Sequence, residues 1–249
     1  MEQTGLLDRG DGVALAWALL PGRGPTVVFL PGFRSDMSGG KAIALRDWCA
    51  AEGRGMLRFD YSGSGGSGGA FTDGTIGAWA EDARRVVATL TEGPFLLVGS
   101  SMGGWIALLV ALAMPERVAA LVGIAAAPDF TEELLWAALP ASARAALLRD
   151  GVLPIPNPYG EPTPITRALI EDGRRHLLLG GEIALDCPVR LLHGQCDPDV
   201  PWETALRLAG QLRSTDVQVV LVKDGDHRLS RGQDLALLLR TVAGLEAEF

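Results

Sequence analysis

The sequence is poor in the residues that mark metal-binding, disulfide-linked and nucleic-acid-binding proteins. It has three histidines and three cysteines, and the cysteines are at no metal-like spacing. An odd number of cysteines favours a reduced chain without structural disulfides. The net charge of -8 argues against a nucleic-acid partner.

Long apolar runs are also absent. No run reaches the ~18–20 residues that a membrane-spanning helix needs, and the longest, 118–127, suits a buried strand. The first residues have neither the basic nor the apolar region of a secretory signal. We therefore expect no membrane span and a cytoplasmic location. What remains is a chain of 249 residues, 48% of them hydrophobic, which suits a single α/β domain over residues 1–249.

One stretch combines an apolar strand-like run at 95–98, a tight turn, and a helix-like run at 105–113. The turn reads Gly99-Ser100-Ser101-Met102-Gly103. A Gly-x-Ser-x-Gly turn with these flanks is typical of a nucleophile elbow, in which strained backbone lifts the serine clear of the sheet. Glycine on both sides avoids collisions, and the helix N-terminus stabilises nearby negative charge. The stretch predicts that Ser101 is a nucleophile.

The rest of the chain alternates between strand-like and helix-like segments. Strands are predicted at 13–20, 26–30, 56–59, 95–98, 118–127, 188–192 and 217–222. Helices are predicted at 41–52, 76–90, 105–113, 202–212 and 233–245. Such alternation predicts an α/β fold with a mostly parallel sheet and helices on both faces.

One interval, 128–186, breaks the alternation because it contains no strand candidate. Its helical stretches, 132–139, 141–150 and 166–179, are separated by several prolines. We expect a helical lid inserted over the carboxyl ends of the strands. Trp136 and its apolar neighbours Leu134, Leu135 and Leu139 either line an apolar pocket or only fix the insertion to the domain.

A serine hydroxyl needs a general base, and three histidines compete for that role. His176 lies in the predicted insertion, far from any strand end. His193 ends a strand before a glycine, where it supports the turn. His227 lies in the loop after the last predicted strand, which suits a hydrolase with the chain order serine, acid, histidine. His227 is therefore the predicted base.

The acid that orients this base should lie in a loop at the carboxyl end of a strand. Asp197 fits, because it follows the penultimate predicted strand and precedes His227 by thirty residues. Asp129 follows the preceding strand and stays open as an alternative. Asp199 is a weaker alternative, since its position suits a cap of the helix predicted at 202–212.

Two backbone amides should bind the negative charge that develops on a carbonyl oxygen. One is the N–H of Met102, directly after the serine. The other should be the N–H of Phe33, because a Pro-Gly pair after the strand 26–30 lets the chain bend towards the serine. Arg34 and Tyr61 are candidates for contact with the polar end of a substrate, beside the simpler role of solvated loop residues.

Two further features carry less weight. Residues 63–68 match Gly-x-Gly-x-x-Gly after a strand, but a dinucleotide site needs a helix that opens directly from the loop. The next helix begins only near Ile76. Cys196 is the neighbour of Asp197, but a lone cysteine in a turn is usually inert. We expect neither dinucleotide binding nor thiol chemistry.

Five segments that contain these residues resemble one family. They read LPGFRSDMSGGKA (30–42), RFDYSGSGGS (58–67), GSSMGGW (99–105), RLLHGQCDPDVPW (190–202) and DGDHR (224–228). In this order they resemble the α/β-hydrolase-domain serine hydrolases that include mitochondrial palmitoyl-protein thioesterases and acyl-glucuronide esterases. The resemblance covers nearly the whole chain and is weak in the insertion, and no mitochondrial targeting extension is visible.

The resemblance implies an α/β-hydrolase fold, with Ser101 as nucleophile, Asp197 as acid and His227 as base. It also implies hydrolysis of esters or thioesters of acyl groups, carried by small molecules or by proteins, through an acyl-enzyme and without a metal or organic cofactor. The alternative functions are a short-chain carboxylesterase, a perhydrolase, a C–C bond hydrolase and, from another class, a non-catalytic binding protein.

Overall fold

The computed structural model describes residues 1–157 and 160–246. Residues 158–159 of the predicted insertion and 247–249 of the predicted domain lie outside the described residues. The strands are β1 (Gln3–Asp8), β2 (Ala14–Leu20), β3 (Arg23–Leu30), β4 (Arg54–Phe59), β5 (Phe95–Ser100), β6 (Val118–Ile124), β7 (Val152–Asn157), β8 (Gly160–Thr166), β9 (Val189–Gly194) and β10 (Val217–Val222). The α-helices are α1 (Gly40–Glu52), α2 (Ile76–Leu90), α3 (Met102–Ala113), α4 (Ala141–Asp150), α5 (Arg167–Gly173), α6 (Glu203–Gln211) and α7 (Gly232–Glu246).

Eight of these strands form one sheet in the order β1-β2-β4-β3-β5-β6-β9-β10. The strands from β4 to β10 in that order are parallel, and β1 and β2 form an antiparallel hairpin at one edge. Carboxyl ends of parallel strands point the same way, so the loops that follow them meet along one side of the sheet. The predicted mostly parallel sheet is confirmed.

Helices cover both faces of the sheet, as the alternation predicted. On one face, Leu45 of α1 and Val242 of α7 are fully buried in one apolar cluster. On the other face, Trp79 of α2, Trp105 of α3 and Leu208 of α6 belong to a larger cluster. Burial of each such side chain contributes about 1.5–3 kcal/mol to folding. None of the described helices is both long enough and apolar enough to cross a membrane.

The insertion corrects the expectation of a wholly helical lid. It begins with a π-helix, Thr131–Trp136, and contains α4 and α5, but between them β7 and β8 form an antiparallel hairpin. Pro154 lies directly opposite Pro164 in this hairpin. Both strands of a two-stranded ribbon are edge strands, so a proline whose missing N–H would face outward breaks no ladder.

The glycine-rich loop at 63–69 is fastened to the loop after β3 through Asp60. One carboxylate oxygen of Asp60 accepts the N–H of Gly66 at 2.8 Å, and the other accepts the N–H of Met37 at 2.7 Å. The next α-helix, α2, begins at Ile76. Asp60 therefore holds the glycine-rich loop against the loop that follows β3.

Asp129 ties the start of the insertion to its end. Its backbone has a φ of 61°, and its buried carboxylate accepts hydrogen bonds from the N–H groups of Leu178 and Leu179, each at 2.8 Å. Burial raises the pKa of this carboxyl, and the two hydrogen bonds oppose that rise. Asp129 is thus a structural anchor of the insertion.

We expect Asp129→Ala to lower the free energy of unfolding by about 2–4 kcal/mol, because two N–H groups lose their acceptor and alanine is strained at positive φ. Asp129→Asn should cost less, since asparagine tolerates this backbone and keeps one acceptor. Urea denaturation at pH 7 measures the change, with the exposed Asp150→Ala as the control. An Asp129→Ala protein as stable as that control would contradict the anchor role.

Candidate active site

Ser101 lies at the sharp turn between β5 and α3, as the elbow motif predicted. Its φ of 55° and ψ of -121° are rare for a residue with a side chain. A Cβ on Gly99 would lie 2.3 Å from the carbonyl oxygen of Gly103, and one on Gly103 would lie 2.1 Å from that of Leu30. Glycine on both sides therefore allows the backbones to approach closely enough to hold the strained turn.

The loop after β10 brings His227 to Ser101. His227 Nε2 lies 3.0 Å from Ser101 Oγ, and Nδ1 lies 2.8 Å from Asp197 Oδ2. A carboxylate only accepts hydrogen bonds, so Nδ1 donates and Nε2 is left with a lone pair that faces the serine hydroxyl. The structure thus brings together the three residues that were predicted as nucleophile, base and acid.

The Asp197 carboxylate accepts four hydrogen bonds. Its Oδ1 accepts the N–H groups of Asp199 and Val200, at 2.8 and 2.9 Å. Its Oδ2 accepts from His227 and also from Nε2 of His193, at 3.1 Å. Burial alone would raise the pKa of Asp197, but the hydrogen bonds from both histidines and from Val200 hold it well below its usual range. Asp197 is therefore an anion at neutral pH.

Phe33 and Met102, whose N–H groups are the predicted oxyanion donors, line the same cavity as Ser101. Met102 is the first residue of α3, so its N–H has no acceptor within the helix. Gly32 packs against the elbow, where an added Cβ would lie 3.3 Å from Ser101 Cβ, and this brings Phe33 close. The Phe33 ring packs on Phe71 and Phe130 at centroid distances of 5.1 and 5.6 Å, which fixes the loop.

The cavity around Ser101 has a volume of about 790 Å³, a size typical of small-molecule sites. Its lining is partly apolar and partly polar. The start of the insertion and its hairpin contribute apolar residues, Phe130, Leu134, Leu135, Ile155 and Ile165, together with the polar Glu161 and Thr163. Lys41, Asp199 and Arg228 line the cavity near His227.

The family model described as the alpha/beta hydrolase fold matches residues 25–154. The chain belongs to the α/β-hydrolase family. It is 41% identical to the mitochondrial palmitoyl-protein thioesterase ABHD10 of Bos taurus over 96% of this chain and 78% of the relative. Among solved structures, a putative hydrolase from Agrobacterium vitis S4 matches with a TM-score of 0.93 and 42% identity, over 99% of this chain and 98% of that one. Mouse alpha/beta hydrolase domain-containing protein 10 matches with a TM-score of 0.91 and 38% identity, over 99% of both chains. The predicted fold and resemblance are confirmed.

In this α/β-hydrolase, Arg34, a candidate for substrate contact, lines the cavity. Its backbone has a φ of 57°. Its guanidinium donates to the carbonyl oxygens of Glu161 and Pro162 and to Thr163 Oγ1 in the hairpin, at 3.2, 3.2 and 3.0 Å. Arg34 therefore connects the loop that presents Phe33 to the insertion.

The predictions of Tyr61 and Trp136 as substrate contacts are wrong. Tyr61 is only 1% exposed and lies in the core, where its ring contacts Phe59 and Trp79. Trp136 is half-buried outside the cavity lining, and the guanidinium groups of Arg144 and Arg174 cover its ring at 5.2 and 4.7 Å. Its neighbours Leu134 and Leu135 reach the cavity instead.

The other acids and histidines of the sequence analysis have different positions in the hydrolase. The Asp129 carboxylate is engaged by the end of the insertion. Asp199 lines the cavity and does not cap α6, whose N-cap is Trp202 without a side-chain hydrogen bond. His176 lies beside Asp172 of α5, with Nε2 3.7 Å from the carboxylate. His227 is thus the histidine that meets Ser101.

Three side chains of the site also have the donor types of a metal centre. Asp197, Asp199 and His227 each offer one ligand atom, and these atoms lie within 4.8 Å of one another. However, both oxygens of Asp197 and both ring nitrogens of His227 already take part in hydrogen bonds. The group therefore fits a proton-transfer network better than a metal centre.

Lys41 is a residue of the site that the sequence analysis did not single out. Its Nζ donates to the carbonyl oxygen of Arg228, directly after His227, and so braces that loop. Burial, and next the positive charge of Arg228, lower the pKa of Lys41 to about 8, although Asp226 and Asp234 oppose the shift. Burial of the protonated Lys41 amine therefore destabilises the folded state.

This pKa predicts that the stability contributed by Lys41 rises with pH. Between about pH 8 and 10.5 the unfolded chain holds a proton that the folded chain has lost, so the folded state is favoured as pH increases. Relative to Lys41→Met, the wild type should gain about 1–2 kcal/mol of unfolding free energy from pH 7.5 to pH 10, a value reduced for partial exposure. Urea denaturation measures this, with the exposed Lys223→Met as control. A difference that stayed constant or fell would contradict it.

Proposed function

We propose that this α/β-hydrolase cleaves esters and thioesters of acyl groups, with Ser101 as nucleophile. The observation that carries the proposal is the hydrogen-bonded chain from Ser101 Oγ through His227 to Asp197, at 3.0 and 2.8 Å. The name of the Bos taurus relative, a palmitoyl-protein thioesterase 41% identical to this chain, supports thioesters as substrates.

In the first half of the reaction, His227 Nε2 removes the proton from Ser101 Oγ as this oxygen attacks the carbonyl carbon. Asp197 holds the ring in the tautomer with Nδ1 protonated and stabilises the imidazolium that forms. The carbonyl oxygen becomes an oxyanion, which the N–H groups of Phe33 and Met102 bind. Removal of one such donor costs about 3 kcal/mol of transition-state stabilisation in well-studied hydrolases.

In the second half, the imidazolium of His227 gives its proton to the departing alcohol or thiol, and the acyl group stays on Ser101. Water then enters on the same side and gives a proton to His227 as it attacks the acyl-enzyme. His227 then returns this proton to Ser101 Oγ as the carboxylic acid product leaves. Every step uses main-chain amides and side chains of this protein.

The lining of the cavity supports a position for each part of the substrate. The leaving group must be within reach of His227, and Lys41 and Arg228 lie near that residue. The acyl group then extends towards the insertion, where Leu135 and Ile155 form an apolar side of the cavity. Transfer of each CH2 group into such a side contributes about 0.8 kcal/mol, so longer acyl chains should bind more tightly than short ones.

Ser101→Ala tests the reaction type. We expect kcat/KM for acyl thioesters and esters to fall by at least about 10⁴-fold, because no acyl-enzyme can form, while the fold is retained. Initial rates with octanoyl and palmitoyl substrates measure the loss, and Ser64→Ala in the glycine-rich loop is the control. A fluorophosphonate should label the wild type at Ser101. A folded wild type without labelling would favour a non-catalytic binding protein.

Leu135→Trp tests where the acyl group binds. The larger ring should fill the apolar side, so kcat/KM for palmitoyl substrates should fall about tenfold or more while that for butanoyl substrates changes little. A profile of rate against chain length measures this, with the exposed Leu148→Trp as the matched control. An equal loss for both chain lengths would place the acyl group elsewhere, and a wild-type preference for short chains would favour a carboxylesterase.

A further inference from the structure

His193, at the end of β9, is a second histidine in contact with the acid of the proposed triad. Its side chain is only 1% exposed, so it meets neither solvent nor substrate. Nε2 lies 3.1 Å from Asp197 Oδ2 and 3.1 Å from the carbonyl oxygen of Val200. Both partners belong to the loop that carries the acid.

These contacts fix the proton on the ring of His193. A carboxylate oxygen and a carbonyl oxygen only accept hydrogen bonds, so Nε2 must carry the hydrogen and share it between Asp197 and Val200. Nδ1 is buried without a hydrogen-bond partner among the described residues. A second proton there would be a buried donor without an acceptor, which is unfavourable. His193 is therefore a neutral donor.

We propose that His193 is a positioning residue that holds the Asp197 carboxylate in the orientation that His227 requires. The inference rests on the proposed function, since it concerns the acid of that triad. With Oδ1 held by two N–H groups of its own loop, the hydrogen bond from His193 fills the remaining acceptor site of Oδ2 beside that used by His227. The carboxylate then cannot rotate about its Cβ–Cγ bond without breaking several hydrogen bonds.

The same contact sets how much negative charge Asp197 offers to His227. Two imidazole N–H groups share one oxygen, so each sees less charge than it would alone. Without His193, Asp197 Oδ2 keeps its contact with His227 but loses a donor that fixes its orientation.

His193→Leu and His193→Gln form the test. Leucine removes the donor at similar volume, whereas the glutamine amide reaches about as far as Nε2 and still donates. We expect His193→Leu to lower kcat about tenfold to a hundredfold with KM changed less than about threefold, the size typical of a misoriented reacting group. His193→Gln should recover most of kcat.

The rate of Ser101 labelling by a fluorophosphonate separates this inference from the proposed function. If the wild type is not labelled, the proposed function is wrong. If the wild type is labelled and the folded leucine variant reacts at the same rate, the positioning role is wrong. A glutamine variant no better than a folded leucine variant also overturns it, because a packing role would not distinguish the donor.

If the leucine variant does not fold, a measurement on the wild type tests the positioning role of His193. Nitrogen-15 NMR of the histidine rings reports which nitrogen carries the proton. We expect the ring hydrogen of His193 to be on Nε2, which faces the two acceptors. Protonation on Nδ1 alone would leave a lone pair facing the Asp197 carboxylate and would overturn the proposal.

Discussion

The site of this hydrolase depends on one buried anion, the carboxylate of Asp197. Burial of a charge is costly unless the charge is paired and hydrogen-bonded, and here four donors from three parts of the chain bind it. Two come from its own loop, one from the end of β9, and one from the loop after β10. The parallel register of β9 and β10, with Leu221 opposite His193, brings the two loops to the same height. Sheet pairing thereby brings Asp197 and His227 within hydrogen-bond distance.

Strain at Ser101 is the second constraint. A residue in this part of φ/ψ space costs about 1–3 kcal/mol and persists only where its surroundings hold it. The elbow is held from both sides: the N–H of Ser101 donates to Ile124 of β6 at 2.9 Å, and its flanking glycines pack directly on neighbouring backbone. The geometry of the candidate site is thus built mainly from backbone packing in the centre of the sheet.

Sequence reasoning predicted the parts of the molecule that follow local rules. The elbow motif, the strand–helix alternation and the positions of Asp197 and His227 after strands lead to the observed fold and to the meeting of the three residues, while their catalytic roles stay predictions. The hairpin in the insertion was missed because its prolines were interpreted as breaks between helices. An edge strand tolerates a proline at a position whose N–H group would face outward, and this direction depends on strand pairing. Tyr61 and Trp136 were misplaced because the direction of a side chain at a loop depends on tertiary packing. Lys41 has no local signal at all, since its partner carbonyl at Arg228 is remote in sequence.

The contact between Arg34 and the hairpin has a consequence for how such a protein can diversify. A lid that touches only substrate can be exchanged freely, and specificity changes while turnover is kept. Here the guanidinium of Arg34, the residue next to Phe33, donates hydrogen bonds to three oxygens of the hairpin. The insertion and the loop that contains Phe33 are therefore not separable modules. An insertion grafted from a relative would need its own acceptors for Arg34, or the graft would remove the contact that joins it to this loop.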